Sequence, residues 1–114
     1  MRFIQTVPFS RAWDRFGLTD DDLRALELSL VSNPDIGPVV PGAGGLRKVR
    51  FAARGSSRGK RGGYRIGYIH FENYYAFVLV AAYDKSEKAD LTYDDKRFIQ
   101  TYIRSVQTEL EQGL

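Results

Sequence analysis

Apolar and polar positions repeat along this chain with two different periods, which predicts a mixture of helices and strands. Leucines recur at helical spacing between residues 23 and 30, whereas 46–53 and 64–71 alternate as half-buried strands do. The stretch 74–83 is almost entirely apolar, which indicates a central strand buried on both faces. In chain order the sequence predicts a strand over 1–8, a helix over 10–16 with Ser10 as its cap, and a second helix that Thr19 caps and Asn33-Pro34 ends. Strands follow over 46–53, 64–71 and 74–83. A final helix begins at a capping box formed by Thr92 and Asp95.

This order of elements favours one small α+β domain over residues 1–114. A chain of 114 residues supports a single core, and 43% hydrophobic residues are ordinary for a globular domain. We expect a mostly antiparallel sheet with its helices packed on one face and an open, basic opposite face.

Composition excludes several classes of protein. Without cysteine there is no disulfide framework and no thiolate metal site. The longest apolar run, 76–83, is far too short to span a bilayer. The first ten residues lack the apolar core of a signal peptide, so we expect a cytoplasmic protein with no membrane contact.

Charge is distributed very unevenly. Residues 36–71 contain no Asp or Glu but hold eight of the 17 basic residues, which leaves nine basic residues against all 14 acidic ones elsewhere. A basic segment of this kind suits a polyanion, because each Lys or Arg near a phosphate releases condensed counterions. The glycines at 42–45 precede a strand rather than a helix, so they do not match a nucleotide-binding loop and are turn residues.

Strand alternation places the charges. If Val49 and Phe51 point into the core, Lys48 and Arg50 stand two residues apart on the open face. The stretch 54–63 is a glycine-rich basic loop between strands, and Arg65 opens the returning strand. Whether Arg65 shares the face of Lys48 and Arg50 depends on how the strands pair.

Three stretches carry a family resemblance: GGLRKVRFA, the basic loop ending GKRGGYRIGY, and LVAAYDKSEKADLT. In order and spacing they resemble the toxin subunits of type II toxin–antitoxin pairs, in the RelE/ParE superfamily and most closely its HigB-type branch, across essentially the whole chain. The resemblance implies a RelE-like toxin fold and a metal-independent endoribonuclease that cleaves messenger RNA in the ribosomal decoding site without a cofactor. It also implies a cognate antitoxin with a helix-turn-helix domain, through which alone the toxin meets DNA.

The resemblance assigns residues by motif. It implies a catalytic set of Lys48, Arg50, Arg65 and Lys85. Further RNA contacts are expected from other basic residues, namely Arg47, Arg54, Arg58, Lys60, Arg61 and Lys88. Cleavage through the 2′-hydroxyl needs a general base, an electrostatic clamp and a general acid. A lysine crowded by arginines has its charged form disfavoured and is a candidate base, while arginines would clamp the phosphate bidentately.

The lone histidine, His70, rules out a pair of catalytic histidines and is expected to be a structural strand residue. The general acid is not identified. Some members of the resembled family use a C-terminal tyrosine, for which Tyr68, Tyr83 and Tyr93 are the candidates here, although strand tyrosines more often belong to the core. Two other functions stay open, a ParE-like inhibitor of DNA gyrase and a non-catalytic RNA-binding module. The basic set argues against the first, and the lack of aromatics in 54–63 argues against the second.

Overall fold

The computed structural model describes residues 1–53, 63–84 and 90–113. The elements follow one another in the order that the sequence predicts. They are β1 (Arg2–Gln5), α1 (Val7–Arg15), α2 (Asp20–Ser32), β2 (Arg47–Phe51), β3 (Tyr64–Phe71), a short 3₁₀ turn (Glu72–Tyr74), β4 (Ala76–Asp84) and α3 (Tyr93–Glu111).

The four strands form one mixed sheet in the order β1-β4-β3-β2. β1 runs parallel to β4, whereas β4 with β3 and β3 with β2 are antiparallel pairs. The apolar strand β4 therefore lies inside the sheet, as its composition predicts. The α+β class with a mostly antiparallel sheet is confirmed.

Helix α1 begins earlier than the sequence suggests. Its cap is Thr6 rather than Ser10, and the Thr6 Oγ1 accepts a hydrogen bond from Phe9 N at 3.1 Å. The same hydroxyl donates to Val80 O at 2.7 Å, which fixes the start of α1 to the central strand. Pro8 lies in the first turn of α1, where its missing N–H costs nothing, instead of ending a strand.

The other two helices begin where the sequence places them. Thr19 and Asp22 form a capping box at α2, and Thr92 and Asp95 form the expected capping box at α3. Acidic residues in both first turns favour the positive end of the helix dipole. Helix α2 ends at Ser32, directly before Asn33-Pro34.

The sheet is covered on both faces, which corrects the expectation that all helices share one face. Helices α1 and α2 pack with alternate residues of β4, such as Phe77 and Leu79. Helix α3 packs on the intervening residues Val78 and Val80, hence on the opposite face. Its buried stripe consists of Ile99, Ile103, Val106 and Leu110.

Three large apolar side chains of α2 and α3 are exposed: Leu28, Val31 and Phe98. Leu26 and Leu30 are the buried residues of α2, so the apolar face of this helix is narrower than the leucine pattern suggests. Across the described ranges, no helix is both long and apolar enough to cross a membrane.

Candidate functional site

Pairing of β2 with β3 brings three predicted site residues to one face of the sheet. Arg50 lies opposite Arg65, and Lys48 lies opposite Gly67. Directly opposed residues point to the same face, so Lys48, Arg50 and Arg65 share the face on which α3 packs farther along the sheet. Lys48, Arg50 and Arg65 are called the basic cluster below.

The basic cluster lines one open pocket. Its wall is completed by Val49 and by two residues of the loop between α2 and β2, Ile36 and Pro38. Lys48 N donates to Pro38 O at 3.1 Å, so the loop is held against β2. Three cations from two strands thus surround a space accessible to a ligand.

Glycine is required on the loop that forms the pocket wall. A Cβ atom added to Gly37 would lie 2.7 Å from Lys48 O, a backbone atom that cannot move aside cheaply. Gly37 N donates to Tyr68 Oη at 3.1 Å, and Tyr68 Oη donates to Pro34 O at 2.7 Å. Tyr68 is therefore a core residue that anchors the loop, in agreement with the expectation for strand tyrosines.

A second glycine governs how the chain enters β3. Gly63 has φ +57°, and a Cβ atom there would collide with Phe51 O. Only glycine adopts this conformation in this space without strain. The close approach of Gly63 to Phe51 sets the β2–β3 register that opposes Arg50 and Arg65.

Arg65 differs from the exposed side chain that an open basic face suggests. It is only 8% exposed, and its Nη1 atom is buried without a hydrogen-bond partner in the described parts of the chain. Its partner on β4 is Tyr83, which is 4% exposed and whose hydroxyl is likewise buried and unpartnered there. The burial of Tyr83 agrees with the prediction that 74–83 is a strand buried on both faces, whereas nothing in the sequence indicates that Arg65 is buried.

An acidic residue also belongs to the site. Asp90 Oδ1 lies 3.2 Å from Lys48 Nζ in an ion pair. The Leu91 N–H, at 2.8 Å, and the Lys48 ammonium together hold the pKa of Asp90 below its usual range. Lys48 therefore has a carboxylate partner as well as arginine neighbours.

Sequence analysis misses Asp90 because 42 residues separate it from Lys48. Its one local signal is its place two residues before Thr92, the cap of α3. A residue there is held close to the sheet by the helix that follows it.

Arg47 lies apart from the basic cluster. Its guanidinium donates to Gly37 O at 2.8 Å and pairs with Asp35 at 3.4 Å. Expected as an RNA contact, Arg47 is engaged in holding the loop between α2 and β2. His70, which the sequence predicts to be a structural residue, stacks on Phe77 with ring centroids 4.5 Å apart, on the face of the sheet that α1 and α2 cover.

Six predicted site residues lie outside the described ranges. They are Arg54, Arg58, Lys60, Arg61, Lys85 and Lys88. The geometry of the site therefore rests on Lys48, Arg50, Arg65, Asp90 and Tyr83.

Burial raises the pKa of Tyr83, and Asp90 and Asp95 raise it further, while Arg65 acts in the opposite direction. The phenol is accordingly a protonated donor near neutral pH. The site thus combines guanidinium and ammonium groups with a phenol, a set that can bind a phosphate and stabilise added negative charge on it. Within residues 1–53, 63–84 and 90–113, no group of three His, Cys, Asp or Glu side chains is arranged to hold a metal ion. No protein-family model matches the chain.

Proposed function

We propose that this protein is the toxin of a type II toxin–antitoxin pair, a ribosome-dependent endoribonuclease that cleaves messenger RNA. The observation that carries the proposal is the convergence of Lys48, Arg50 and Arg65 on one pocket. The family resemblance assigns these residues to catalysis, and they come from two strands that a run of basic residues separates in the sequence.

The proposed reaction is attack of a ribose 2′-hydroxyl on the adjacent phosphorus. The 2′-oxygen forms a bond to phosphorus, the bond to the 5′-oxygen breaks, and the products carry a 2′,3′-cyclic phosphate and a 5′-hydroxyl. Arg50 and Arg65 stabilise the doubly charged phosphorane, because guanidinium groups match its equatorial oxygens. No metal is needed for this step.

The reaction needs two proton transfers, one from the 2′-hydroxyl to a base and one from an acid to the leaving 5′-oxygen. Lys48, as the neutral amine, is the proposed base that accepts the 2′-hydroxyl proton once substrate binding separates it from Asp90, and a general acid donates a proton to the leaving 5′-oxygen. The ion pair at 3.2 Å is well exposed at Asp90, so its loss costs little. Lys85, which the resemblance also assigns to catalysis, lies outside the described residues.

The ribosome completes the site. The basic cluster contains no histidine, and the carboxylate of Asp90 is paired with Lys48, so the isolated protein is expected to be a poor acid–base catalyst. Positioning of the mRNA in the decoding site supplies the orientation that the pocket lacks, an effect worth several kcal/mol of the barrier. We propose that the protein acts in the cytoplasm and is neutralised there by a helix-turn-helix antitoxin.

The test compares ribosome-bound and naked RNA. Purified protein is incubated with programmed 70S ribosomes or with the same mRNA alone, and 5′ ends are mapped by primer extension. We expect cleavage on the ribosome and little on free RNA, with DNA gyrase supercoiling unaffected. Equal cleavage of both RNAs, or inhibition of gyrase, contradicts the proposal and supports a free ribonuclease or a gyrase inhibitor instead.

A further inference from the structure

Two buried donors next to the pocket have no partner in the described parts of the chain. They are Arg65 Nη1 and the hydroxyl of Tyr83. Buried polar groups are nearly always hydrogen-bonded, because an unmade bond leaves the cost of desolvation uncompensated. Two such groups on neighbouring residues indicate a ligand or a reservoir of strain.

The pairing of β3 with β4 places Arg65 and Tyr83 next to each other. Arg65 and Tyr83 are cross-strand partners in the β3–β4 pair and project to the same face. The charge of Arg65 affects the pKa of Tyr83, which shows that the guanidinium and the phenol are within electrostatic range. Arg65 also lines the pocket with Lys48 and Arg50, whereas Tyr83 does not line that pocket and lies next to it only as the cross-strand partner of Arg65.

The chemistry of the two groups specifies what they bind. A guanidinium has five N–H donors and no acceptor, and a protonated phenol has a free O–H to donate. The carboxylate of the site, Asp90, already accepts hydrogen bonds from Lys48 Nζ and Leu91 N. Two unpaired donors, one of them on a guanidinium, beside the two further cations Lys48 and Arg50 suit an oxyanion, which accepts hydrogen bonds.

We propose that Tyr83 is a substrate-contacting residue: its hydroxyl and the Arg65 guanidinium together bind one phosphate group. This inference takes only the source of that phosphate, an RNA phosphodiester, from the proposed function. Tyr83 binds the phosphate as a hydrogen-bond donor, in addition to the electrostatic clamp of Arg50 and Arg65. Binding requires the Arg65 side chain to turn toward the pocket it lines, and the new charge-assisted hydrogen bonds favour that movement.

The direct test measures binding of inorganic phosphate to purified wild-type protein, Tyr83→Phe and the control Tyr102→Phe. Tyr102 is a half-buried tyrosine of α3 whose pKa is also raised by burial, and it packs among the residues around α3. Phosphate is titrated at constant ionic strength, and the backbone amide shifts of Arg65 and Tyr83 are followed by NMR. We expect Tyr83→Phe to weaken phosphate binding about tenfold, the effect of one hydrogen bond to a charged group. Tyr102→Phe should bind as the wild type does.

Thermal unfolding separates a ligand contact from a purely structural tyrosine. Phenylalanine keeps the ring and removes a buried unpartnered hydroxyl, so Tyr83→Phe should melt at or above the wild-type temperature in the absence of phosphate. A folded Tyr83→Phe protein with unchanged phosphate affinity overturns the inference, as does a wild type whose shifts do not respond to phosphate.

The phosphate-binding experiment tests this site separately from the proposed cleavage of mRNA. A wild-type protein that binds phosphate through Tyr83 but leaves ribosome-bound mRNA intact supports this site and contradicts the endoribonuclease. If the wild type cleaves ribosome-bound mRNA, and Tyr83→Phe is fully active and binds phosphate as the wild type does, the endoribonuclease is supported and this phosphate site is contradicted.

Discussion

Arg50 and Arg65 lie directly opposite each other in the antiparallel β2–β3 pair, so two guanidinium groups share one side of the sheet. Like charges in directly opposed positions destabilise a strand pair, and burial of Arg65 adds a desolvation cost. A phosphate between them would remove both penalties.

Removing the charge of Arg65 is expected to abolish cleavage while ribosome association remains. The transition-state clamp is lost, and only one of many phosphate contacts goes with it. We expect Arg65→Met, which fills the buried site without a charge, to lower the rate of cleavage by about two to three orders of magnitude. The measurement is single-turnover cleavage of ribosome-bound mRNA, with ribosome binding followed by co-sedimentation.

Arg97→Met is the matched control for Arg65→Met, because Arg97 is an exposed arginine on α3. It should cleave at the wild-type rate. If folded Arg65→Met remains fully toxic on expression, the assignment of Arg65 is wrong.

Neutralising Asp90 is expected to strengthen RNA binding. Asp90→Asn frees the Lys48 ammonium from its carboxylate partner and removes one negative charge from the site. Because the pair is exposed, the gain in affinity for RNA should be about two- to fivefold. Fluorescence anisotropy with a short labelled RNA measures it, and Asp94→Asn on the first turn of α3 serves as the control.

Asp90→Asn should also change how the stability of the protein depends on acidic pH. The pKa of Asp90 is held down by Leu91 N–H and by Lys48, so its contribution to stability is complete above the usual carboxylate pKa and is lost as pH falls through the depressed value. Asp90→Asn should therefore lose less stability than the wild type over that acidic window. Parallel denaturation curves across it would show that the pair contributes nothing to folding.

Much of this site could be predicted from the sequence, since alternation alone assigns Lys48 and Arg50 to one side of β2. That Arg65 joins them depends on the β2–β3 register, which Gly63 and its contact with Phe51 O help to set. Asp90 could not be found, because no local pattern links it to Lys48.

The fold shows the same limit. Amphipathic spacing reveals that α3 buries a stripe but not which side of the sheet receives it. A signal was nevertheless present: a strand as apolar as β4 must be covered on both faces, which requires helices on both sides. Thr6 was missed as the cap of α1 because Pro8 suits both an edge strand and the first turn of a helix.

Loss of the Tyr68 hydroxyl is expected to destabilise the pocket wall. Tyr68→Phe leaves Gly37 N and Pro34 O without their partner in a buried setting. We expect the free energy of unfolding to fall by about 1–3 kcal/mol, as for other buried groups left unpaired. Urea denaturation measures the change, and Tyr93→Phe is the control because Tyr93 is highly exposed.

The effect of Tyr68→Phe should reach the site as well as the core. The loop that Tyr68 anchors also bonds Lys48 N and the Arg47 guanidinium, so a loosened loop displaces Lys48. A variant as stable as the wild type would indicate that water replaces the lost hydroxyl.

The antitoxin is expected to dock at or beside the basic segment, because acidic side chains there would offset the cost of desolvating clustered cations and would speed encounter. Replacing Arg54, Arg58, Lys60 and Arg61 together by Ser should then weaken antitoxin binding, measured by calorimetry at low salt. The matched control replaces four exposed helical arginines, Arg11, Arg24, Arg97 and Arg104, and changes the net charge equally. If both variants lose affinity alike, long-range charge alone steers the partner; if neither does, the antitoxin docks on another surface. The exposed apolar side chains Leu28 and Val31 on α2 are the first alternative to test, because an apolar contact there would be insensitive to salt.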